Sequence, residues 1–218
     1  MARELGSSLK ERRSEREESR RRGGVTVERA YLQKNPDGSS LVVAYLEADR
    51  SFGEVMGVLL SSDLPLDRYF IDKNREATGI DFRAGPPGPD PELVGQWVAP
   101  GATRRAKGFA FAAPLQPGKA DAARRFAQEA YVTRQAEMKE SRTSKGLIRE
   151  EVFLNQTPAG DVVVVYLEGN DPVDANRRFA ASNTPFDRWF KDRCREVFPA
   201  FIDFDKPVPQ NEEIFSSA

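Results

Sequence analysis

Apolar runs and alternating segments divide the chain into predicted strands and helices. The run DVVVVYLE, residues 161–168, has four successive valines, which predicts a strand that is covered on both faces. The run LIREEVFLN, residues 147–155, is separated from it by QTPAG, so the two runs predict a β-hairpin. GFAFAAP, residues 108–114, predicts another strand, since it is short, apolar and followed by a Pro/Gly turn.

Helical spacing predicts three helices in the same half of the chain. Between residues 119 and 145, apolar residues recur at intervals typical of a helix, namely Ala123, Phe126, Ala127, Ala130 and Met138. Residues 174–181 predict a second helix, and Pro185 begins a third that carries its aromatic residues on one face. We expect FIDF, residues 201–204, to close this half as a strand.

The same pattern occurs twice in the chain. SLVVAYLEADRS, residues 40–51, corresponds to DVVVVYLEGNDP, residues 161–172, and the tyrosines Tyr45 and Tyr166 stand 121 positions apart. Matches extend through both halves: Glu18/Glu140, Leu32/Leu154, Pro36/Pro158, Gly38/Gly160, Pro65/Pro185, Asp67/Asp187, Arg75/Arg195 and Asp81/Asp203. Self-similarity over this length predicts two copies of one structural unit.

The predicted order β-α-β-β-α-β is that of the ferredoxin-like fold, in which both helices cover one face of an antiparallel sheet. The other face needs cover as well. We therefore predict an α+β protein of two ferredoxin-like repeats whose sheets pack face to face as a pseudo-dimeric α+β barrel. The predicted boundaries are residues 1–82 for the first repeat, 83–107 for a Pro/Gly-rich linker, 108–206 for the second repeat and 207–218 for a tail.

The first repeat lacks its own first strand, because its first helix begins close to Met1. Three interpretations of the gap are open. The chain begins further upstream, or residues 94–99 of the linker return into the empty position, or the linker is a Pro-rich spacer on the surface.

Several segments together resemble an uncharacterised bacterial family of the dimeric α/β-barrel type. They are residues 117–129, 146–169 and 185–190, and the resemblance extends over residues 108–204 and again over residues 18–82. It implies the fold and assigns no catalytic residue. The wider superfamily that it resembles includes cofactor-independent monooxygenases, isomerases, polyketide cyclases and ligand-binding proteins, so the fold does not choose a function. The chain departs from the family in its missing first strand and its charged first helix.

Composition removes several kinds of chemistry. The chain has no histidine, which excludes histidine-based triads, histidine-ligated haem and typical transition-metal sites. Cys194 is the only cysteine, so neither an intrachain disulfide nor a zinc site built on thiolates is possible. We expect no cofactor and no metal. No apolar run has the length of a membrane span and no signal peptide is evident, which predicts a cytoplasmic protein.

The charge distribution argues against nucleic-acid binding. The 33 basic and 34 acidic residues give a net charge of −1. Residues 1–24 contain eight Lys or Arg and five Glu, but pairs such as Arg13/Glu17 at i,i+4 are typical of a solvated helix face. No aromatic residue interrupts this run and no glycine-rich phosphate loop occurs.

The candidate catalytic residues are Tyr166 and Glu168, with Tyr45 and Glu47 as their counterparts in the first copy. Residues two apart on a strand share a face, so each pair places a phenol beside a carboxylate at the end of a predicted central strand. Such a pair can act as a hydrogen-bond donor and a general base. Alternatively, the tyrosine fills the core and the glutamate meets water or pairs with Arg149 or Arg29.

Asp187 and Arg188, in the segment PFDRWF, are candidate ligand-binding residues together with Arg149. Both lie in the first turn of a predicted helix, where a carboxylate suits the helix dipole. They either stabilise that helix or line the rim of a pocket.

Three functions remain open at this point. The chain is a structural or small-molecule-binding protein that holds a small apolar or aromatic molecule in its barrel, or a cofactor-independent enzyme acting on an aromatic or polyketide-like compound. The third alternative is an interaction module that uses the Arg-rich N-terminal helix. Barrel closure within one chain predicts a monomer, and closure between chains predicts a homodimer.

Overall fold

A computed structural model gives the fold and describes residues 2–35, 37–85, 88–102, 106–208 and 211–217. Within these ranges the protein is α+β, with eight α-helices and two antiparallel sheets of three and four strands. The helices are α1 (Ala2–Glu11), α2 (Arg13–Gly23), α3 (Phe52–Leu60), α4 (Pro65–Thr78), α5 (Ala120–Gln128), α6 (Gln135–Ser144), α7 (Pro172–Ala181) and α8 (Pro185–Val197). The strands are β1 (Val25–Lys34), β2 (Ser40–Ala48), β3 (Glu92–Val98), β4 (Lys107–Pro114), β5 (Leu147–Thr157), β6 (Gly160–Gly169) and β7 (Glu212–Ser216).

Residues 91–211 form one compact unit, the second unit. Its sheet has the order β3-β5-β6-β4, and the predicted hairpin of β5 and β6 is present with β6 in an interior position. The helix expected over residues 119–145 forms as α5 and α6, joined by a π-helical turn, Glu129–Thr133. The helices cover one face of the sheet, and the apolar core there includes Trp97, Phe109, Met138, Leu154, Val163, Leu167, Phe186 and Phe190.

Residues 1–90 and 212–218 form the first unit, whose sheet has the order β2-β1-β7. Leu9 of α1 and Leu66 of α4 pack with Phe215 of β7 on the side of the sheet that carries Ala30. Helix α3 begins at a capping box, in which Ser51 and Glu54 bond each other's backbone N–H groups. The helices α1 and α2 therefore belong to this fold, in the place that α5 and α6 have in the second unit.

Each sheet takes one edge strand from the segment that follows the other copy in sequence. β3 comes after the first copy but pairs antiparallel with β5, and β7 comes after the second copy but pairs antiparallel with β1. Equivalent salt bridges attach the two strands to the first helix of each unit, Arg124–Glu92 at 2.8 Å and Arg3–Glu212 at 2.7 Å. We call this arrangement the strand exchange.

The strand exchange corrects two expectations about connecting segments. Residues 94–99 were expected to fill the gap in the first sheet or to form a spacer, and both interpretations are wrong, because β3 is a strand of the second sheet. The predicted tail likewise contains β7. Residues 86–87 and 103–105 of the predicted linker lie outside the described residues.

The strand expected at FIDF, residues 201–204, does not form, and the matching residues 80–82 of the first copy form no strand either. In the second unit the Asp203 carboxylate accepts the backbone N–H of Asp205 at 3.0 Å, and in the first unit Asp81 accepts that of Arg83 at 3.0 Å. Aspartate turns of this kind compete with an extended backbone. In the ferredoxin-like order 4-1-3-2, the second strand of the repeat lies at an edge of the sheet. Here β5 and β1 are the second strands of the two repeats, and each pairs on its outer side with an additional strand, β3 or β7.

Candidate functional site

Polar side chains cross three strands on the face of the second sheet that carries no helix. Tyr166 and Glu168 lie on β6, Arg149 and Glu151 lie opposite them on β5, and Gln96 follows on β3. We call these five residues the polar row. The alternation of side chains along each strand places them on the opposite face from Glu150, Val163 and Leu167, which face the helices.

Hydrogen bonds run along the polar row. The Tyr166 hydroxyl donates to Glu168 Oε1 at 3.3 Å, and Arg149 donates to Glu168 Oε2 at 3.2 Å and to Glu151 Oε1 at 2.9 Å. Gln96 Nε2 donates to the same Glu151 oxygen at 2.8 Å. Tyr166, Glu168 and Glu151 are buried, whereas Arg149 is partly accessible. The candidates Tyr166, Glu168 and Arg149 are thus neighbours in one hydrogen-bonded set.

The first copy repeats only part of this arrangement. Tyr45 donates to Glu47 Oε1 at 2.6 Å on β2, as Tyr166 does to Glu168. The positions on β1 differ, however, because Val27 replaces Arg149 and Arg29 replaces Glu151 when the two repeats are aligned at Gly24 and Gly146. The Tyr-Glu pair is therefore common to both copies, and the Arg149–Glu151 link belongs to the second copy.

Asp187 lies elsewhere, in a buried ionic cluster between the helices and the helix-covered face of the second sheet. Its carboxylate accepts hydrogen bonds from Ser141 at 2.6 Å and from Lys145 at 2.7 Å. Burial raises the pKa of Asp187, but hydrogen bonds from Lys145, Ser141 and Ser182 outweigh it and lower the pKa to about 2. Arg188 is exposed on the other side of α8. The structure therefore separates Asp187 and Arg188 from the polar row.

The same cluster contains a buried Arg-Glu pair. Arg142 holds Glu150 through two hydrogen bonds of 2.5 and 2.9 Å, and Tyr131 donates to Glu150 at 2.5 Å. Burial lowers the pKa of Arg142, but the charge and hydrogen bonds of Glu150 outweigh this and raise it. Burial and the neighbouring Glu150 raise the pKa of Tyr131 well above its usual value, so the phenol stays protonated.

The first unit contains the counterpart of this cluster. Arg20 holds Glu28 through hydrogen bonds of 2.6 and 2.7 Å, and Ser19 donates to Asp67 at 2.6 Å. Sequence reasoning missed both clusters, although Asp67/Asp187 had been matched in the repeat and the ESR triplet occurs in each copy. Because the cluster ties a helix to a strand in each unit, its role is structural.

The N-terminal arginines are largely engaged within the first unit. Arg13 bonds Glu17 at 2.6 Å, Arg21 and Arg22 each bond Glu18 at 2.8 Å, and Arg20 bonds Glu28. This pattern is the solvated, paired helix face that the i,i+4 spacing predicts. It does not leave a row of unneutralised arginines on α2.

The described part of the chain contains neither a cluster of metal ligands nor a membrane-spanning helix. No group of three or more acidic or cysteine side chains in these ranges is arranged to hold a metal ion. No helix among them combines the length and the apolar character that crossing a bilayer requires.

Comparison with known proteins gives no relative from which residues could be transferred. No family model, no curated protein and no solved structure matches the chain. The function must therefore be inferred from the geometry of the polar row.

Proposed function

We propose that the chain binds a small molecule at the polar row of its second sheet. The observation that carries this proposal is a hydrogen-bonded set of charged and phenolic side chains that is buried on a face without helices. Burying ionised groups costs free energy, and well-packed apolar side chains often stabilise a fold at least as well. A charged row in such a position is consistent with a function beyond packing.

The surroundings of the row favour a small aromatic or apolar molecule with one hydroxyl or carbonyl group. Val164 of β6 and Phe153 of β5 lie opposite each other on the same face as Tyr166, next to the Tyr166–Glu151 pair. Both side chains are partly accessible. An apolar wall that leads to a few fixed polar groups is typical of small-molecule sites. The ring of the ligand would contact Val164 and Phe153, and its oxygen would meet the Tyr166 hydroxyl or Arg149.

This proposal includes barrel closure within one chain. Helices cover one face of each sheet, so the other face of each, which carries Tyr45 in one copy and Tyr166 in the other, needs cover. The strand exchange supports closure within the chain, since each sheet takes one edge strand from the segment that follows the other copy. We therefore infer a monomer in which the two helix-free faces form a pseudo-dimeric α+β barrel.

Native mass spectrometry of the untagged protein tests the proposal first, followed by thermal unfolding with a panel of substituted phenols and aromatic ketones. We expect a retained adduct, or a phenol or ketone that raises the melting temperature of the wild type. Tyr166→Phe should weaken this effect. The matched substitution Tyr45→Phe, in the copy without the Arg149–Glu151 link, should leave it intact. No adduct and no shift with any compound, or equal losses in both variants, would contradict the assignment of the site.

Catalysis is a second candidate function, and the Tyr166–Glu168 contact favours it. A carboxylate in a buried position beside a phenol can take a proton from a bound substrate while the phenol donates a hydrogen bond. Glu168→Gln separates the two functions, because a pure binding site should retain its ligand and an enzyme should lose turnover.

A further inference from the structure

The outer edge of β2 is arranged as an acceptor for another strand. The backbone N–H of Asn35 donates to the Ser39 carbonyl at 2.9 Å, which fixes the hydrogen-bonded register of the β1–β2 hairpin. Because this pattern alternates in an antiparallel pair, the backbone groups of Val42, Ala44 and Leu46 point away from β1. Among the residues that the structure describes, no strand pairs with this edge.

The second copy shows what occupies the same edge. Val163, Val165 and Leu167 of β6 correspond to Val42, Ala44 and Leu46, and they pair with Ala113, Phe111 and Phe109 of β4. The next outward-pointing group, the Asp161 carbonyl, accepts the backbone N–H of Leu115 at 2.9 Å. β4 is thus an internal template for a strand at the edge of β2.

The comparison of the two copies also shows the apolar surface that such a strand covers. Val163 is 5% exposed beside β4, and its counterpart Val42 is 48% exposed. Ala44 is exposed as well, and Phe52 in the first turn of α3 is 38% exposed. In the second unit α7 contacts β4, so α3 is the helix that a strand on β2 would meet.

We propose that the outer edge of β2 binds an extended partner strand with the chemistry of β4. The strand lies antiparallel to β2 and exchanges backbone hydrogen bonds with Val42, Ala44 and Leu46, in the manner of β-strand addition. It carries aromatic or large apolar side chains toward the helices, as Phe109 and Phe111 do in β4.

The other face of the partner strand must carry small residues. In β4, Gly108, Ala110 and Ala112 lie opposite Glu168, Tyr166 and Val164, respectively. Side chains at opposite positions of neighbouring strands are only about 5 Å apart at Cβ, so a large residue beside the tyrosine ring would clash. A second copy of β2 fits this requirement poorly. If two β2 strands paired antiparallel with their Ala44 residues opposite each other, Val43 of each copy would lie opposite Tyr45 of the other.

The test uses the full-length protein and a fluorescent synthetic peptide of residues 107–116, KGFAFAAPLQ, in anisotropy titrations. The control peptide KGFVFVAPLQ keeps both phenylalanines but has valine at the positions of Ala110 and Ala112. We expect saturable binding of the first peptide and binding of the control that is at least about tenfold weaker, because in either register a large side chain of the control lies against Tyr45.

Two variants test the edge itself. Ala44→Pro removes one outward N–H and leaves the hydrogen bonds between β1 and β2 in place, since proline is tolerated where the N–H faces away from the sheet. Loss of that bond and the added ring should weaken binding about tenfold or more. Val42→Lys should act similarly, and the matched change Leu93→Lys, at an exposed apolar residue of β3, should have no effect. Circular dichroism confirms that each variant keeps its fold.

Three results would overturn the proposal. The first is no saturable binding of KGFAFAAPLQ, and the second is equal binding of both peptides or equal binding by wild type, Ala44→Pro and Val42→Lys. The third is a concentration-dependent dimer of the protein alone, seen by light scattering and abolished by Ala44→Pro, which would assign the edge to a second copy. Each of these leaves the polar row untouched, because the row lies on the second sheet.

Discussion

Glu150 in the second unit and Glu28 in the first occupy equivalent positions, and each accepts two hydrogen bonds from an arginine. The sequence predicted a related feature correctly, since the two-residue period placed Tyr166 beside Glu168 and Tyr45 beside Glu47. It did not predict the Arg-Glu clusters, because Ser141 and Asp187 meet only after α6 and α8 pack together. Local periodicity shows which side chains share a face, and it does not show which distant helix supplies a partner.

Removing one member of a buried ion pair should be costly in both units. We expect Arg142→Met to lower the free energy of unfolding by about 3–5 kcal/mol, because Glu150 would remain buried without its counter-charge. Arg20→Met should cost less, since the Arg20 side chain is more accessible. Urea denaturation measures both, and the double variant Arg142→Met/Glu150→Leu should recover most of the loss. Equal effects of the two single variants would contradict this difference in burial.

The Asp187 carboxylate should make the stability of the protein depend on pH in acid. Its pKa in the folded protein is about 2, below the usual 3.8, so its stabilisation is complete above the unfolded value and is lost as pH falls toward 2. The difference corresponds to about 2 kcal/mol. We expect the gap in unfolding free energy between wild type and Asp187→Asn to shrink between pH 5 and pH 2. Asp192→Asn, at an exposed position on the same helix, is the control, and a gap that stays constant with pH would contradict the assignment.

At the scale of elements, the two hairpins, the long helix over residues 119–145 and the helix starting at Pro185 follow from patterns in the sequence. The strand predicted at residues 201–204 does not form, because Asp203, like Asp81 in the first copy, accepts a backbone N–H in a turn. A pattern of apolar residues does not reveal such turns. For another reason, β7 was missed, and residues 94–99 were considered as a strand of the first sheet and not of the second. β3 and β7 are short edge strands in segments rich in proline and charge, and their partners lie far away in the chain.

Strand β7 should contribute much of the stability of the first unit. Phe215 is 1% exposed and packs with Leu9 and Leu66, so Phe215→Ala should lower the free energy of unfolding by about 3–5 kcal/mol. Phe201→Ala removes the same side chain from a position that is 75% exposed and should change it by less than about 0.5 kcal/mol. Chemical denaturation of both variants provides the comparison. Similar effects would mean that β7 adds little to the core.

At the scale of the whole molecule, the strand exchange makes the two units unequal as isolated fragments. Residues 91–211 contain every strand of the second sheet, whereas residues 1–90 lack β7. According to the proposed barrel, the isolated fragment 91–211 exposes the helix-free face of its sheet and should therefore associate as a homodimer.

We expect the fragment 91–211 to unfold cooperatively and the fragment 1–90 to remain largely unstructured. Both tryptophans, Trp97 and Trp189, lie in the longer fragment, so their fluorescence reports on it directly. Circular dichroism reports on the shorter one, and attaching residues 211–218 through a flexible linker should restore its fold. A cooperative transition in 1–90 alone would show that β7 is dispensable.

The strand exchange also sets the order in which the chain can fold during its synthesis. Domains usually fold as they leave the ribosome, the N-terminal one first. Here β7 follows every strand of the second sheet, which has been made by residue 169, so the first sheet cannot be completed until the second unit has been synthesised. The first unit must therefore remain incomplete while the second unit is made, and residues that follow the second unit in sequence complete the unit that was begun first.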